Sequence, residues 1–520
     1  MYIEPNSTIR IIAQCPLDAS YENTLWFDTV ADQINYFQNT LYGYTFTKQS
    51  YQRVTKKSFR IAKPAEEMYD CNYLAFRNIS FGTKWFYAFI DKIEYINNVT
   101  SEITYTIDVM QTWHFDYSME QCFVEREHSV TDEIGDNIVD EGLATGEYIS
   151  DGMSFPNVGG SSTAYSIQIW ATIDRNYERI AGVVFDNAYQ WYYSGLYCIE
   201  FPMTQQGVVE AANWLWDLRL HPLVADSIVS INIAPYWSGT DRAVVHSIPR
   251  QSGIARSDGV PIKNNKLYTH PYNFLYVTNN QGGTAVYRYE FFVGAGYCDF
   301  EMYCGESPNP VLLLIPKNYK GALENFDEKL ELSGFPQVAY NVDSFKAWLA
   351  QSASSLALQG VIDAGVAFAI MEGTAPPAVV AAAGLATVSK IISGTVASAK
   401  PPQSKGSQGT MTLLAMDKLR FGFMHKYITP NYVTIIDDYF NLYGYACRRV
   451  KYPNRSSRPE WNYVKTVGCK IRCGIPSDDA TTIEGLYDRG IRFWKNPAHL
   501  GNYTFDNSPT NQNNPNIPSE

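Results

Sequence analysis

The sequence of residues 81–109 is Phe-Gly-Thr-Lys-Trp-Phe-Tyr-Ala-Phe-Ile-Asp-Lys-Ile-Glu-Tyr-Ile-Asn-Asn-Val-Thr-Ser-Glu-Ile-Thr-Tyr-Thr-Ile-Asp-Val. Aromatic and β-branched residues are frequent in this stretch, as is typical of strands, and the pair Asn97-Asn98 interrupts them as a turn would. The stretch therefore predicts a β-meander. Because similar strand and turn patterns recur along most of the chain, the sequence predicts a mainly β protein with minor α.

Two segments have helical patterns instead. Residues 208–220 place Trp214, Leu215 and Leu218 on one helical face. Residues 478–487 begin with two acidic residues, which favour the first turn of a helix, and Ser477 is expected to be the N-cap.

Residues 347–399, here called the apolar segment, depart from both patterns. They include 15 Ala and 5 Gly but only three charged residues, Asp363, Glu372 and Lys390. Ala375-Pro376-Pro377 divides the segment into two apolar halves that are too long for buried strands, so we expect a helical hairpin. One Asp near the centre of a membrane span costs roughly 2.5 to 3.5 kcal/mol, which offsets the large apolar residues of the first half. A permanent membrane span is therefore not expected, whereas a buried helical hairpin and an Ala-rich disordered insertion remain alternatives.

Composition divides the chain into five regions. They are a β-rich N-terminal region at 1–150, a middle β-rich domain at 151–335, an apolar insertion with a flexible tether at 336–410, a return to folded composition at 411–505 and a disordered tail at 506–520. Because an inserted domain needs close ends, we expect residues before about 150 and after about 410 to share one folded unit.

Charge and cysteine content exclude several classes of protein. The formal net charge is −12, so the chain lacks the clustered basic surface with which proteins hold nucleic acid. The nine cysteines are odd in number and scattered, which predicts reduced and mostly buried thiols. A zinc site built from Cys469, Cys473, Cys447 and His499 is not favoured, because structural zinc sites have tighter paired spacing. We expect no metal and no cofactor.

The chain contains no recognisable catalytic motif. The acidic pairs Asp132-Glu133, Asp437-Asp438 and Asp478-Asp479 are expected to be solvated turns or caps, since adjacent carboxylates on a strand point in opposite directions. His128, in Arg126-Glu127-His128, is expected to be a structural residue with satisfied hydrogen bonds. We therefore expect no enzyme and no catalytic residue.

Several long strings in this chain resemble, in one order, the distal tail-tube or tail-knob protein of small short-tailed phages (podovirus type) that infect Gram-positive bacteria. Examples are Asp108-Val-Met-Gln-Thr-Trp-His-Phe-Asp116 and Ile436-Asp-Asp-Tyr-Phe-Asn-Leu-Tyr-Gly-Tyr445. The other strings lie at 15–24, 70–78, 84–90, 123–128, 461–465 and 475–478. The resemblance covers about 1–150 and 410–505, with a weaker middle.

The resemblance implies a structural virion protein of the tail, made in the host cytoplasm. It implies β-barrel domains like those of tail hubs, assembled as a homo-hexameric tube that contacts other tail proteins and through which phage DNA passes at genome ejection. It also implies an internal hydrophobic segment that plugs the lumen and transiently contacts the host cytoplasmic membrane. The residues expected in this role are Trp348, Leu349, Leu356, Leu358, Val361, Ile362, Asp363, Val366, Phe368, Ile370, Met371, Pro376, Pro377, Val379, Val380, Leu385, Val388, Ile391 and Ile392.

Two other classes remain open from the sequence. A receptor-binding or cell-wall-degrading tail appendage would also be β-rich and aromatic, and it would present exposed Trp and Tyr clusters for stacking against sugars. A resident membrane protein is the third class, and partitioning into detergent would distinguish it from a soluble tube.

Overall fold

The computed structural model describes most of the chain outside a long stretch near the apolar segment. The described residues are 6–49, 57–79, 82–156, 165–176, 197–202, 206–207, 210–211, 214, 228–235, 243–249, 260–293, 296–304, 310–320, 329–333, 335, 337–338 and 420–509. The chain forms two compact units. Unit 1 comprises residues 1–147, 255–271 and 428–520, and unit 2 comprises 148–254 and 272–427. Composition alone places residues 255–271 in the middle domain, whereas the structure places them in unit 1.

The first part of unit 1 is a strand-rich stretch with two short helices. The strands are β1 Ser7–Ala13, β2 Asn23–Leu25, β3 Gly43–Gln49, β4 Ser58–Ile61, β5 Cys71–Asn78, β6 Phe86–Asn97, β7 Thr100–Ile107, β8 Tyr117–Met119 and β9 Cys122–Glu127. The helices are α1 Val30–Asn35 and α2 Val109–Thr112. Strands β6 and β7 form the hairpin predicted from residues 81–109, which confirms the meander.

A six-stranded antiparallel sheet of order β3-β1-β5-β6-β7-β4 is the framework of this part. Its central strand β5 is apolar on both faces. Tyr73 and Ala75 pack with Phe37 and Trp461, whereas Leu74 packs on the opposite face. Because Trp461 comes from the last fifth of the chain, the two ends of the sequence build one core.

The described residues of unit 2 form three four-stranded sheets. Its strands are β10 Tyr148–Ser154, β11 Tyr165–Ala171, β12 Tyr197–Pro202, β13 Ile228–Pro235, β14 Ala243–Pro249, β15 Asn273–Thr278, β16 Thr284–Tyr287, β17 Tyr297–Cys304, β18 Leu312–Lys317, β19 Leu330–Leu332, β20 Gln337–Val338 and β21 Gly422–Ile428. The sheet orders are β10-β21-β15-β16, β12-β11-β13-β20 and β14-β17-β18-β19. In the segment predicted as a helix at 208–220, Glu210, Ala211 and Trp214 are helical, and the remainder lies outside the described residues.

The chain then returns to unit 1 with two longer helices. The elements are α3 Pro430–Tyr443, β22 Tyr445–Lys451, β23 Trp461–Val467, β24 Ile471–Cys473, α4 Ser477–Arg489 and β25 Ile491–Trp494. They complete a five-stranded sheet of order β2-β25-β23-β9-β22, while β24 pairs with β8. Strand β9 therefore lies between two strands that follow it by more than 300 residues. The mainly β architecture predicted from the sequence is confirmed.

Helix α4 confirms the helix predicted at 478–487, but the predicted cap is wrong. The N-cap is Pro476, Ser477 is already helical, and no side chain caps the helix by a hydrogen bond. The acidic pair Asp478-Asp479 lies in the first turn, where the helix dipole favours negative charge.

Helix α1 offers a matched test of side-chain capping. The Thr29 hydroxyl oxygen accepts a hydrogen bond from the Asp32 N–H at 3.1 Å. Replacing Thr29 with alanine should therefore lower the free energy of unfolding of unit 1 by about 1 kcal/mol. Urea denaturation would measure the change. Ser477→Ala is the control, because that serine makes no capping bond, and a loss as large as that of Thr29→Ala would contradict the assignment.

Within the described residues, no helix is both long and apolar enough to cross a membrane. The apolar segment was predicted to be a helical hairpin, and it lies entirely outside those residues.

Candidate functional site

The predicted plug residues, from Trp348 to Ile392, all lie outside the described part of the chain. Their role stays a prediction. The described residues instead bring together a cluster of polar and charged side chains in unit 1, which joins three stretches of sequence that are remote from one another.

Glu141 is the centre of the first half of this cluster. Its side chain is fully buried and forms ion pairs with Arg126 and with Lys266, whose side chain is 2% exposed. The same carboxylate accepts a hydrogen bond from the Ala446 N–H at 2.9 Å. The Lys266 ammonium also donates to the Val139 carbonyl at 2.7 Å. Two cations and one backbone donor therefore compensate a carboxylate that has no contact with water.

The second half of the cluster holds residues 260–271, here called the strap. The Asp437 carboxylate, on helix α3, accepts hydrogen bonds from the backbone N–H groups of Lys263 at 2.8 Å and Asn264 at 3.0 Å. It also accepts one from the Asn264 side-chain amide at 2.7 Å. The Asp132 carboxylate accepts from the Asn265 N–H at 2.8 Å. Two carboxylates thus bind the backbone of three consecutive strap residues.

The interpretation of two acidic pairs as solvated turns or caps is therefore wrong for one member of each. Asp437 is 4% exposed in the middle of a helix, and Asp132 is largely buried. Asp438 and Glu133, their sequence neighbours, are exposed. Of the third pair, Asp479 accepts a hydrogen bond from the indole N–H of Trp113 at 2.9 Å.

Burial shifts the pKa of three residues in this cluster. It raises the pKa of Asp132 to about 6, against opposing hydrogen bonds from Tyr445 and Asn265 and the positive charge of Arg458. Burial also raises the pKa of Asp437. Burial is the main cause that lowers the pKa of Lys266 to about 7, and the positive charge of Arg126 is the second cause.

His128 is a structural residue, as predicted. It is buried, its Nδ1 accepts a hydrogen bond from the Tyr463 N–H at 2.8 Å, and its Nε2 lies 3.0 Å from the Asn441 carbonyl. These partners require a proton on Nε2 only, so the ring is neutral, and burial holds its pKa well below the usual value. Both ring nitrogens are used in holding β9 against β23 and α3.

The tryptophans speak against a sugar-binding surface in the described part of the chain. Trp85, Trp113, Trp170, Trp214, Trp461 and Trp494 are buried, and Trp26 is half-buried with its N–H bonded to Asp28. Stacking against a sugar needs an exposed ring face. Exposed tryptophan rings, one part of the Trp and Tyr clusters expected of a receptor-binding appendage, are not found among these residues.

The cysteine prediction is confirmed. All nine lie in the described residues as free thiols, and seven of them are buried. No group of three or more metal-ligating side chains that could hold an ion occurs in the part of the chain that the structure describes.

Comparisons with known proteins account for nearly the whole chain. The family model for the C-terminal domain of the Bacillus phage phi29 tail knob protein gp9 matches residues 246–508, just over half of the sequence. That span includes the strap, both long helices and strands β22 to β25. The chain belongs to the phage tail knob protein family. It is thus a structural component of the virion tail, not an enzyme, and part of an assembly with other tail proteins.

The N-terminal part of this tail knob chain matches a second model, the N-terminus of the caudoviral major tail protein, over residues 5–118. That span contains the complete six-stranded sheet. Unit 1 therefore combines a sheet that matches the N-terminus of a major tail protein with a later part that matches the C-terminal domain of a tail knob protein.

Two relatives that match over nearly the whole chain are also tail knob proteins. The tail knob protein gp9 of Bacillus phage phi29 is 23% identical, with 96% of this chain and 98% of the relative covered. The corresponding protein of Bacillus phage PZA is 24% identical with the same coverage. The solved structure of the bacteriophage C1 tail knob protein gp12 matches with a TM-score of 0.61 at 15% identity, covering 95% of this chain and 98% of that one, and shows the likeness in fold.

Sequence reasoning missed the cluster because its members are far apart in the chain. Asp437 and Asn264 are separated by 173 residues, and Asp132 and Asn265 by 133. The signal that was present is indirect. Val433 and Ile436 are buried on one face of α3. Asp437 comes one helical turn after Val433 and therefore lies on the same face.

Proposed function

We propose that this tail knob protein assembles as a homo-hexameric tube at the tail tip and serves as the conduit for genome ejection. The observation that supports the proposal is the match to tail knob relatives over 96% of the chain. Its net charge of −12 is consistent with this role, because duplex DNA carries one negative charge per about 1.7 Å and must slide without adhering. In this proposal the β-sheets of unit 1 form the wall of the tube.

The number of subunits and the width of the lumen test this proposal. Tails isolated from virions should show a closed ring of six copies around a channel wider than duplex DNA. Native mass spectrometry of the tail complex and negative-stain images would measure both. Because isolated subunits can remain monomeric until they meet the tail, the virion sample decides, and a closed ring of another order there would refute the hexamer.

We propose further that the apolar segment plugs the lumen in the resting tail and contacts the host membrane when the tip opens. The support is its composition, which places long apolar halves and many small residues in an otherwise polar chain. Small residues allow close packing between copies, and two helical halves of about 22 to 28 residues, at 1.5 Å per residue, exceed the roughly 30 Å of a hydrocarbon core. The segment is therefore long enough for both states.

A further inference from the structure

Two kinds of buried carboxylate hold the polar cluster of unit 1 together. Glu141 has two cationic partners, Arg126 and Lys266. Asp132 and Asp437 instead accept hydrogen bonds from neutral N–H and O–H groups, and neither makes an ion pair in the described part of the chain. An ionised carboxylate that is removed from water without a contacting cation is disfavoured, whereas the protonated form is not.

The geometry around Asp132 also provides a partner for its proton. The Tyr445 hydroxyl donates to Asp132 and lies 3.2 Å from the side-chain oxygen of Asn264, a strap residue. When Asp132 is ionised, the single Tyr445 proton is directed at the carboxylate. When Asp132 is protonated, its O–H can donate to Tyr445, and the Tyr445 O–H is then free to donate to Asn264. Protonation therefore redirects one hydrogen bond toward the strap.

We propose that the strap, residues 260–271, is a proton-sensitive attachment, and that protonation of Asp132 fastens it more firmly to unit 1. The strap is the described part of the segment 255–271, which enters unit 1 from unit 2 and returns to unit 2. The hydrogen bonds of the strap therefore anchor this segment to unit 1. Anchoring is stronger in mild acid than at neutral or slightly alkaline pH.

The groups that face Asp132 determine whether the strap is held more firmly at low or at high pH. Burial raises its pKa to about 6, and the charge of Asp437 acts in the same direction. The Tyr445 and Asn265 hydrogen bonds and the buried Arg458 oppose the rise without reversing it. The hydrogen bonds from Asn264 and Lys263, and then the charge of Lys263, oppose the rise at Asp437 in the same way, and its pKa also stays raised. In an opened strap Asp132 would regain its ordinary pKa of about 4, so the closed state binds the proton more tightly and gains stability as pH falls through 6.

Hydrogen exchange on the full chain measures the effect directly. The amides of Lys263, Asn264 and Asn265 are the reporters, because each donates to one of the two carboxylates. A closed-state pKa of about 6, against about 4 when open, predicts that their protection, corrected for intrinsic exchange, rises about tenfold from about pH 7.5 to about pH 5. Asp132→Asn, in which an amide permanently replaces the protonated acid, should remove most of this change.

Asp438→Asn is the matched control, since Asp438 is exposed on the same helix as Asp437 and should leave the tenfold rise intact. The wild-type profile alone tests the proposal if a variant does not fold. Equal or weaker protection at the lower pH would overturn it, as would an Asp132→Asn chain that keeps the whole tenfold change.

Discussion

Replacing Glu141 with alanine should lower the free energy of unfolding of unit 1 by about 3 to 5 kcal/mol. The carboxylate has no exposure to water and compensates both Arg126 and Lys266. Without it, Arg126 and Lys266 each lose an ion-pair partner in a poorly hydrated environment, and the Ala446 N–H loses its acceptor. Urea denaturation, followed by tryptophan fluorescence to which the buried Trp461 and Trp494 contribute, would report the loss.

Glu125→Ala is the control for this prediction. Glu125 pairs with Lys465 across strands β9 and β23, but the two side chains are 42% and 35% exposed. Exposed pairs contribute only about 0.2 to 1 kcal/mol. Glu141→Gln should fall between the two, because the amide keeps the shape and one acceptor but removes the charge. Similar losses for Glu125→Ala and Glu141→Ala would contradict the view that burial makes the Glu141 pairs essential.

The sequence predicts the parts of this fold that depend on neighbouring residues. The meander at 81–109 could be predicted because strands β6 and β7 pair through a tight turn and carry aromatic and β-branched side chains. The helix at 478–487 could be predicted because acidic residues mark its first turn. Its predicted start is one residue late and its predicted end two residues early. The start was misplaced because a serine before two acidic residues is a common cap whether or not its side chain forms the bond.

What the sequence could not predict depends on contacts between remote residues. Nothing near Asp132 in sequence distinguishes a solvated acid from one that binds a backbone segment 133 residues away, and the helical period that places Asp437 on the buried face of α3 does not show which donors reach it. The excursion of 255–271 into unit 1 has the same cause. Such carboxylates become recognisable only when the fold brings the donors to them, because hydrogen-bond partners, unlike hydrophobic faces, leave no period in the sequence.

Deleting residues 350–398 should abolish the release of dye from liposomes by this protein. The deletion removes the long apolar stretch that we propose contacts the membrane, while the described residues of both units remain. Release by the full chain should be greater at about pH 5 than at about pH 7.5, because Asp363 and Glu372 oppose insertion while they are ionised. Phage carrying the deletion should fail to deliver DNA.

Asp363→Asn tests whether the charge of this side chain causes the pH dependence of dye release. The substitution removes a carboxylate from the first apolar half at almost constant volume, so insertion no longer requires its protonation, and release at about pH 7.5 should approach that at about pH 5. Asp438→Asn, an exposed acid on α3, should leave the pH dependence unchanged. If the deleted chain releases dye as well as the full chain, and its phage still deliver DNA, then the apolar segment is only structural. Because tube assembly depends on the folded units and leakage on this segment, a hexameric tail without leakage would refute the membrane role and leave the conduit intact.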